Sequence, residues 1–178
     1  MVRRKHTNLR RAFLILLLLG VIWLPKERRM TVFLTGYSYW DNTPPKSAII
    51  GRPMIHDVAA GIGTYNDPVT LAVGWRIDGS EISEDFKPGT RFYIPRLRKY
   101  GIVEDLCGDG ENPQAGPCHI GWEGHPWLDI YVDGSTRNAA VADRCMEKLT
   151  DLQTVLANPR RGYRVSPGPI VETGCKTF

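Results

Sequence analysis

Apolar and polar residues alternate along much of this chain with a period of two. From Thr31 to Asp41, Val32 and Leu34 fall on one side of an extended segment, with Phe33, Tyr37, Tyr39 and Asp41 on the other, so that an acid closes a row of aromatics. Val69 to Trp75 (Val-Thr-Leu-Ala-Val-Gly-Trp) is almost continuously apolar and reads as a buried strand. After the turn Lys87-Pro88-Gly89-Thr90, Phe92 and Ile94 share one face of a short strand that Pro95 ends. Gly101 to Asp105 forms another strand. In Trp127 to Val132, Leu128, Ile130 and Val132 lie opposite Trp127, Asp129 and Tyr131. Helical spacing is confined to Ser135–Thr150, where Val141, Cys145 and Leu149 repeat every four residues behind a cap at Ser135 or Thr136. The tail from Gly162 to Phe178 is expected to add the last strand, with Arg160 and Arg161 in the loop before it. Pro44 to Pro68 is polar, poorly periodic and rich in Gly and Pro, and reads as a long loop able to wall a groove, with His56 and Asp57 at its surface. The pattern predicts an all-β domain of short strands with one helix and long decorated loops.

The first 29 residues read differently. Arg3, Arg4, Lys5, Arg10 and Arg11 precede an unbroken apolar run from Ala12 to Leu24, and Pro25-Lys26-Glu27-Arg28-Arg29 follows it. A basic segment before a short apolar one is the pattern of a signal peptide, and an uncleaved N-terminal membrane anchor is the alternative. Either reading makes residues 31–178 a secreted or otherwise extracytoplasmic domain that meets a membrane only through the N-terminal segment. The leading stretch also holds the chain's excess of Lys and Arg. The formal net charge of +4 therefore does not describe the folded part, which is slightly acidic, and no nucleic-acid partner is expected. The remaining length suits one domain with its own core, taken as a monomer.

Cys107, Cys118, Cys145 and Cys175 are even in number in an apparently exported chain, which favours disulfides. Of the three connectivities, 107–118 and 145–175 are preferred: the first closes the Gly108–Pro117 loop and the second ties the helix to the C-terminus. No Cys-x-x-Cys pair or close Cys/His cluster exists beyond Cys118-His119, so neither metal nor other cofactor is expected.

Asp129 is the strongest candidate for chemistry. Two aromatics flank it on its own face, where a solvated strand face usually carries small polar groups. Pyranose rings stack on aromatic side chains, and an acid beside them can act on a glycosidic oxygen. Tyr37, Tyr39, Trp127 and Tyr131 are the candidate sugar platforms. His125, placed before a proline, either orients substrate or is an ordinary loop histidine. Asp41 has two readings, a cap on the Asp-Asn-Thr-Pro-Pro turn or a second carboxylate for catalysis. Glu104 and Asp105 alternate, so only one of them can enter a given cleft.

Pro88-Gly89-Thr90-Arg91-Phe92-Tyr93-Ile94-Pro95, then Asp105 before a glycine-bearing turn, then Leu128-Asp129-Ile130-Tyr131, resemble in order and spacing the three-aspartate family of double-psi β-barrels. That family occurs at the C-terminus of a membrane-bound lytic transglycosylase, and the barrel is shared with family-45 endoglucanases, expansins and barwin-like proteins. The resemblance covers about a quarter of the chain. It implies a disulfide-stabilised, six-stranded double-psi barrel acting on cell-wall polysaccharide, peptidoglycan or β-glucan, with Asp129 as acid/base and Asp105 in support. Tyr39-Trp40-Asp41 also resembles the start of family-45 enzymes, which implies a general base at Asp41. A non-catalytic, expansin-like glycan-binding module is the alternative. The chain departs from the pattern after Ala72-Val73, where Gly74 and an insertion through Glu84 replace the first aspartate, leaving Asp78 and Asp85 as spatial substitutes.

Overall fold

A computed structural model describes residues 26–108 and 111–178. The apolar run from Ala12 to Leu24 and its basic flank lie outside the described residues. Among those described, no helix is long and apolar enough to cross a membrane.

Among the described residues eight strands form: β1 (Arg28–Tyr37), β2 (Val69–Val73), β3 (Trp75–Asp78), β4 (Glu81–Glu84), β5 (Arg91–Ile94), β6 (Lys99–Leu106), β7 (Trp127–Tyr131) and β8 (Asp151–Ala157). Six of them close into a barrel in the order β1-β7-β2-β6-β5-β8, while β3 and β4 form a separate hairpin. Two of the barrel pairs are parallel, β1 with β7 and β2 with β6, and the others are antiparallel. Closure leaves no edge strand in the barrel. Inside it lie the residues that alternation assigned to the core: Val32, Leu34, Leu128 and Ile130 are fully buried. Each contributes on the order of 1.5–3 kcal/mol by leaving water.

The helix α2 spans Ala139–Leu149 and is shorter at its start than the sequence suggested. Asn138, not Ser135 or Thr136, caps it, its side chain accepting from the Val141 amide. Cys145 and Leu149 face inward as their spacing requires. Two short turns precede β7, a 3-10 turn at Pro113–Ala115 and α1 at Pro117–Ile120, so the expectation of a single helix is exceeded. The pairing of the cysteines is Cys107–Cys118 and Cys145–Cys175.

Other expectations are corrected. The last barrel strand is β8, directly after α2, and the tail beyond Gly162 has no strand. β1 begins at Arg28, inside the stretch read as an address, and Glu27 is already part of the fold: its carboxylate accepts from the Arg160 amide and the Tyr163 hydroxyl, each at 2.8 Å. Tyr39 and Asp41 lie past the end of β1, so period two does not carry on to them. Lys99, in a locally basic stretch with Arg96 and Arg98, does not reach solvent. Lys99 is buried, and its ammonium donates to the carbonyls of Ile62, Ser166 and Gly168 at 3.2, 2.6 and 2.6 Å. Burial holds its pKa down to about 8.

His56 is not a surface residue either. Its Nδ1 lies 3.0 Å from Glu104 Oε2 and its Nε2 lies 3.0 Å from Asp67 Oδ1. Glu104 is fully buried beneath it. The imidazole thus bridges two carboxylates, one from β6 and one from the long loop.

Candidate functional site

Three neighbouring strands bring the acids together. Ala72, next to last in β2, pairs with Asp129 on β7 and with Asp105 on β6. The register of β2 against β6 slips by one residue between Leu71 and Ala72, a bulge at Glu104. Without that slip Ala72 would face Glu104; with it, Glu104 turns to His56 and Asp105 takes the place beside Ala72. The small alanine leaves a hollow between the two acids. Thr35, opposite Asp129 on β1, completes the row.

The hollow is a cleft of about 500 Å³ whose lining includes Tyr37, Asp41, Trp75, Asp105, Cys107 and Asp129. Ile49, Ile50 and Gly51 from the long 44–68 loop form one wall, as the loop's composition suggested. The carboxylates of Asp41, Asp105 and Asp129 thus share one cleft, but each is held differently.

Asp105 accepts from the Tyr37 hydroxyl, the Gly51 amide and the Leu106 amide, all at 2.8 Å. Burial and the neighbouring Asp105 charge push the Tyr37 phenol well above its ordinary range, so it remains a donor. Asp41 accepts from the Ser38 amide and hydroxyl, both at 2.7 Å on Oδ1. These bonds tie it back to the turn that begins at Ser38 and not to the amides of the Asp-Asn-Thr-Pro-Pro stretch after it, and it also faces the cleft. No described residue donates to its Oδ2.

Asp129 is half-buried and has the fewest donors of the three, a single hydroxyl. The Trp127 indole donates to Thr35 Oγ1 at 2.7 Å, and Thr35 donates to Asp129 Oδ1 at 2.6 Å. Because an indole N–H can only donate, the threonine proton is committed to the acid. The Cys107 sulfur lies 3.9 Å from Oδ2 and, being in a disulfide, has no hydrogen to give. Burial, opposed by the Thr35 bond and assisted by the charges of Asp41 and Asp105, raises the Asp129 pKa to about 7.

The other predicted residues are placed apart from this cleft. Trp127 does not line it; its ring meets Phe33 edge-on, and Phe33 stacks on Trp122. Tyr39 and Tyr131 line a second cleft with Asp133 and Ser135, which the Tyr37–Tyr131 ring contact joins to the first. His125 forms a tight backbone bridge with Trp122. Asp78 pairs with Arg76 on the exposed hairpin, and Asp85 pairs with His119 at 2.6 Å; neither lines the cleft. Gly74 stands where an aspartate was expected because a Cβ there would collide with Asp85 and the Cys118 backbone. Sequence reasoning missed Trp75, whose indole donates to the Gly108 carbonyl at 3.0 Å across the mouth, and Thr35, although alternation does place Thr35 beside Phe33 and Tyr37. Among the described residues no group of three or more His, Cys, Asp or Glu is arranged to hold a metal.

A family model described as the DDB_G0273701 N-terminal domain matches residues 29–176. The chain belongs to that family. It is similar, at 34% identity over 144 residues, to a Dictyostelium discoideum protein named uncharacterized protein DDB_G0273701/DDB_G0273221, the match covering 78% of this chain and 55% of that one. The chain thus spans about half the length of the curated relative it matches. No solved structure matches. The family match begins one residue after β1 starts and ends within the C-terminal tail, so it spans the whole barrel.

Proposed function

We propose that this domain is a double-psi β-barrel of the three-aspartate type, exported from the cytoplasm, that cleaves glycosidic bonds in cell-wall polysaccharide. Two parallel strand pairs within a six-stranded closed barrel are what a double-psi topology requires. The observation that carries the catalytic reading is Asp129: a carboxyl that burial holds protonated to about pH 7, in a cleft with two further carboxylates.

In this reading Asp129 gives its proton to the glycosidic oxygen as the C1–O bond breaks. The positive charge that grows on the sugar is stabilised by Asp105, which three donors fix in place. The Asp129 carboxylate then takes a proton from the attacking hydroxyl. If that hydroxyl is the sugar's own 6-OH, one aspartate serves as acid and then base and a 1,6-anhydro product forms. If it is water, Asp41 is the base within reach.

The test is product analysis after incubating the full chain, wild type or Asp129→Asn, with purified peptidoglycan and separately with β-1,4-glucan. Anhydro-muropeptides from wild type alone establish transglycosylation, and new reducing ends from glucan establish hydrolysis. The variant should lose roughly 10²–10⁴-fold in rate, and the wild-type rate should fall as pH rises through about 7. No product from either polymer, with both proteins still bound to it, would overturn the catalytic reading in favour of an expansin-like binding barrel.

A further inference from the structure

At the far end of β1 from the carboxylate cleft lies a pocket of opposite character. It holds about 400 Å³ and is lined by Glu27, Tyr65, Gly89, Arg91, Asn158, Pro159 and Arg160. The topology gathers these residues: Glu27 precedes β1, Arg91 opens β5, and Asn158 follows β8, whose last residue Ala157 pairs with both Arg28 and Phe92.

Two guanidiniums are fixed on one ring. The Arg91 Cζ lies 4.8 Å, and the Arg161 Cζ 4.2 Å, from the Tyr65 centroid. Arg91 donates from Nη1 to the Tyr65 carbonyl at 2.7 Å, and Arg161 from Nη1 to Asn66 Oδ1 at 2.7 Å. Arg160 adds a third charge, its guanidinium 5.4 Å from the Tyr163 ring. None of the three forms a side-chain ion pair with a described residue, whereas Arg52, Arg76 and Arg96 all do. The carboxylate in the pocket is already engaged: Glu27 accepts from the Arg160 amide and the Tyr163 hydroxyl, and these bonds, with a smaller contribution from the Arg160 charge, hold its pKa down.

Arg91 and Arg160 line the pocket, and Arg161 shares the Tyr65 ring beside it; stacking on a ring offsets little of the cost of gathering like charges at a half-exposed site. Fixed guanidiniums with unused N–H groups match the oxygens of phosphate or sulfate. Several cations favour a dianion over a monoanion. We propose that this pocket binds a phosphate or sulfate dianion, free or as an ester on a group the size of one sugar, independently of the carboxylate cleft.

The test is calorimetric titration of the full chain with inorganic phosphate at fixed ionic strength, repeated with glucose 6-phosphate and with acetate. Saturable phosphate binding is expected, weakened at least about tenfold in Arg91→Gln and in Arg160→Gln and unchanged in Asp129→Asn. Glucose 6-phosphate binding tighter than phosphate assigns the anion to a sugar ester, and equal affinity assigns it to the free ion; both support the site. No saturable binding, equal binding of acetate, or affinity unchanged in the arginine variants overturns it. Should Arg91→Gln fail to fold, Arg160→Gln decides alone, because its exposed guanidinium makes no hydrogen bond to a described residue. Loss of phosphate binding in Asp129→Asn would instead place the anion in the carboxylate cleft and overturn the proposal.

Discussion

The half-buried setting of Asp129 disfavours its charge. Its carboxyl has a pKa of about 7 in the folded chain against 3.8 for the free group, so between those values the folded state holds a proton that the unfolded state has released. The stability this proton brings is fully present below pH 3.8 and is lost as pH rises through 7. Asp129→Asn keeps the acceptor for Thr35 and removes the charge. It should therefore leave stability nearly unchanged at pH 4 and raise it by about 1–2 kcal/mol at pH 8, seen as a pH-dependent gap in denaturation midpoints. A variant less stable than wild type at pH 8 would mean that the carboxylate is held by donors rather than stranded. The face of β7 that carries this acid was legible from alternation alone. The role of its aromatic neighbours was not. Trp127 acts through Thr35, and which ring a tryptophan stacks on depends on β1, more than ninety positions away in sequence. Tyr39 was misplaced for a simpler reason, that β1 ends at Tyr37 and periodicity ends with it.

The two disulfides close elements of different purpose. Cys145–Cys175 joins α2 to the tail across 30 residues, while Cys107–Cys118 closes 11 residues at the cleft mouth, where Trp75 holds the Gly108 carbonyl. Loop-closure entropy makes removal of the longer link cost about 4 kcal/mol and the shorter about 3 kcal/mol. On the proposed glycosidic cleavage, activity should separate them: the Cys145→Ser/Cys175→Ser pair is expected to keep its turnover at a temperature where it stays folded, and Cys107→Ser/Cys118→Ser to lose most of it. Equal turnover in the two would show that the mouth needs no covalent tie. Most strands were visible to pattern reading, but β8 was not. Leu152, Val155 and Leu156 recur at helical spacing directly after a helix, and Gln153 points inward where an apolar residue would have marked the face. Its amide is fixed by the Leu149 carbonyl at 2.7 Å, a partner that only the folded corner provides.

Taken whole, the molecule separates its charges along the barrel, acids at one end of β1 and arginines at the other. Net charge could not reveal this, because the two ends nearly cancel. Closure depends on β8, which pairs with β1 on one side and β5 on the other. A chain ending at Thr150 should show no cooperative unfolding transition by circular dichroism; a sharp transition in that truncated chain would mean that the sheet is stable open. The closed order also determines when pairing can begin. β1 is formed first, yet both of its neighbours, β7 and β8, come from the last third of the chain. During synthesis the first strand must wait, unpaired and partly apolar, until nearly everything after it has been made. Until β7 and β8 have emerged the barrel cannot close.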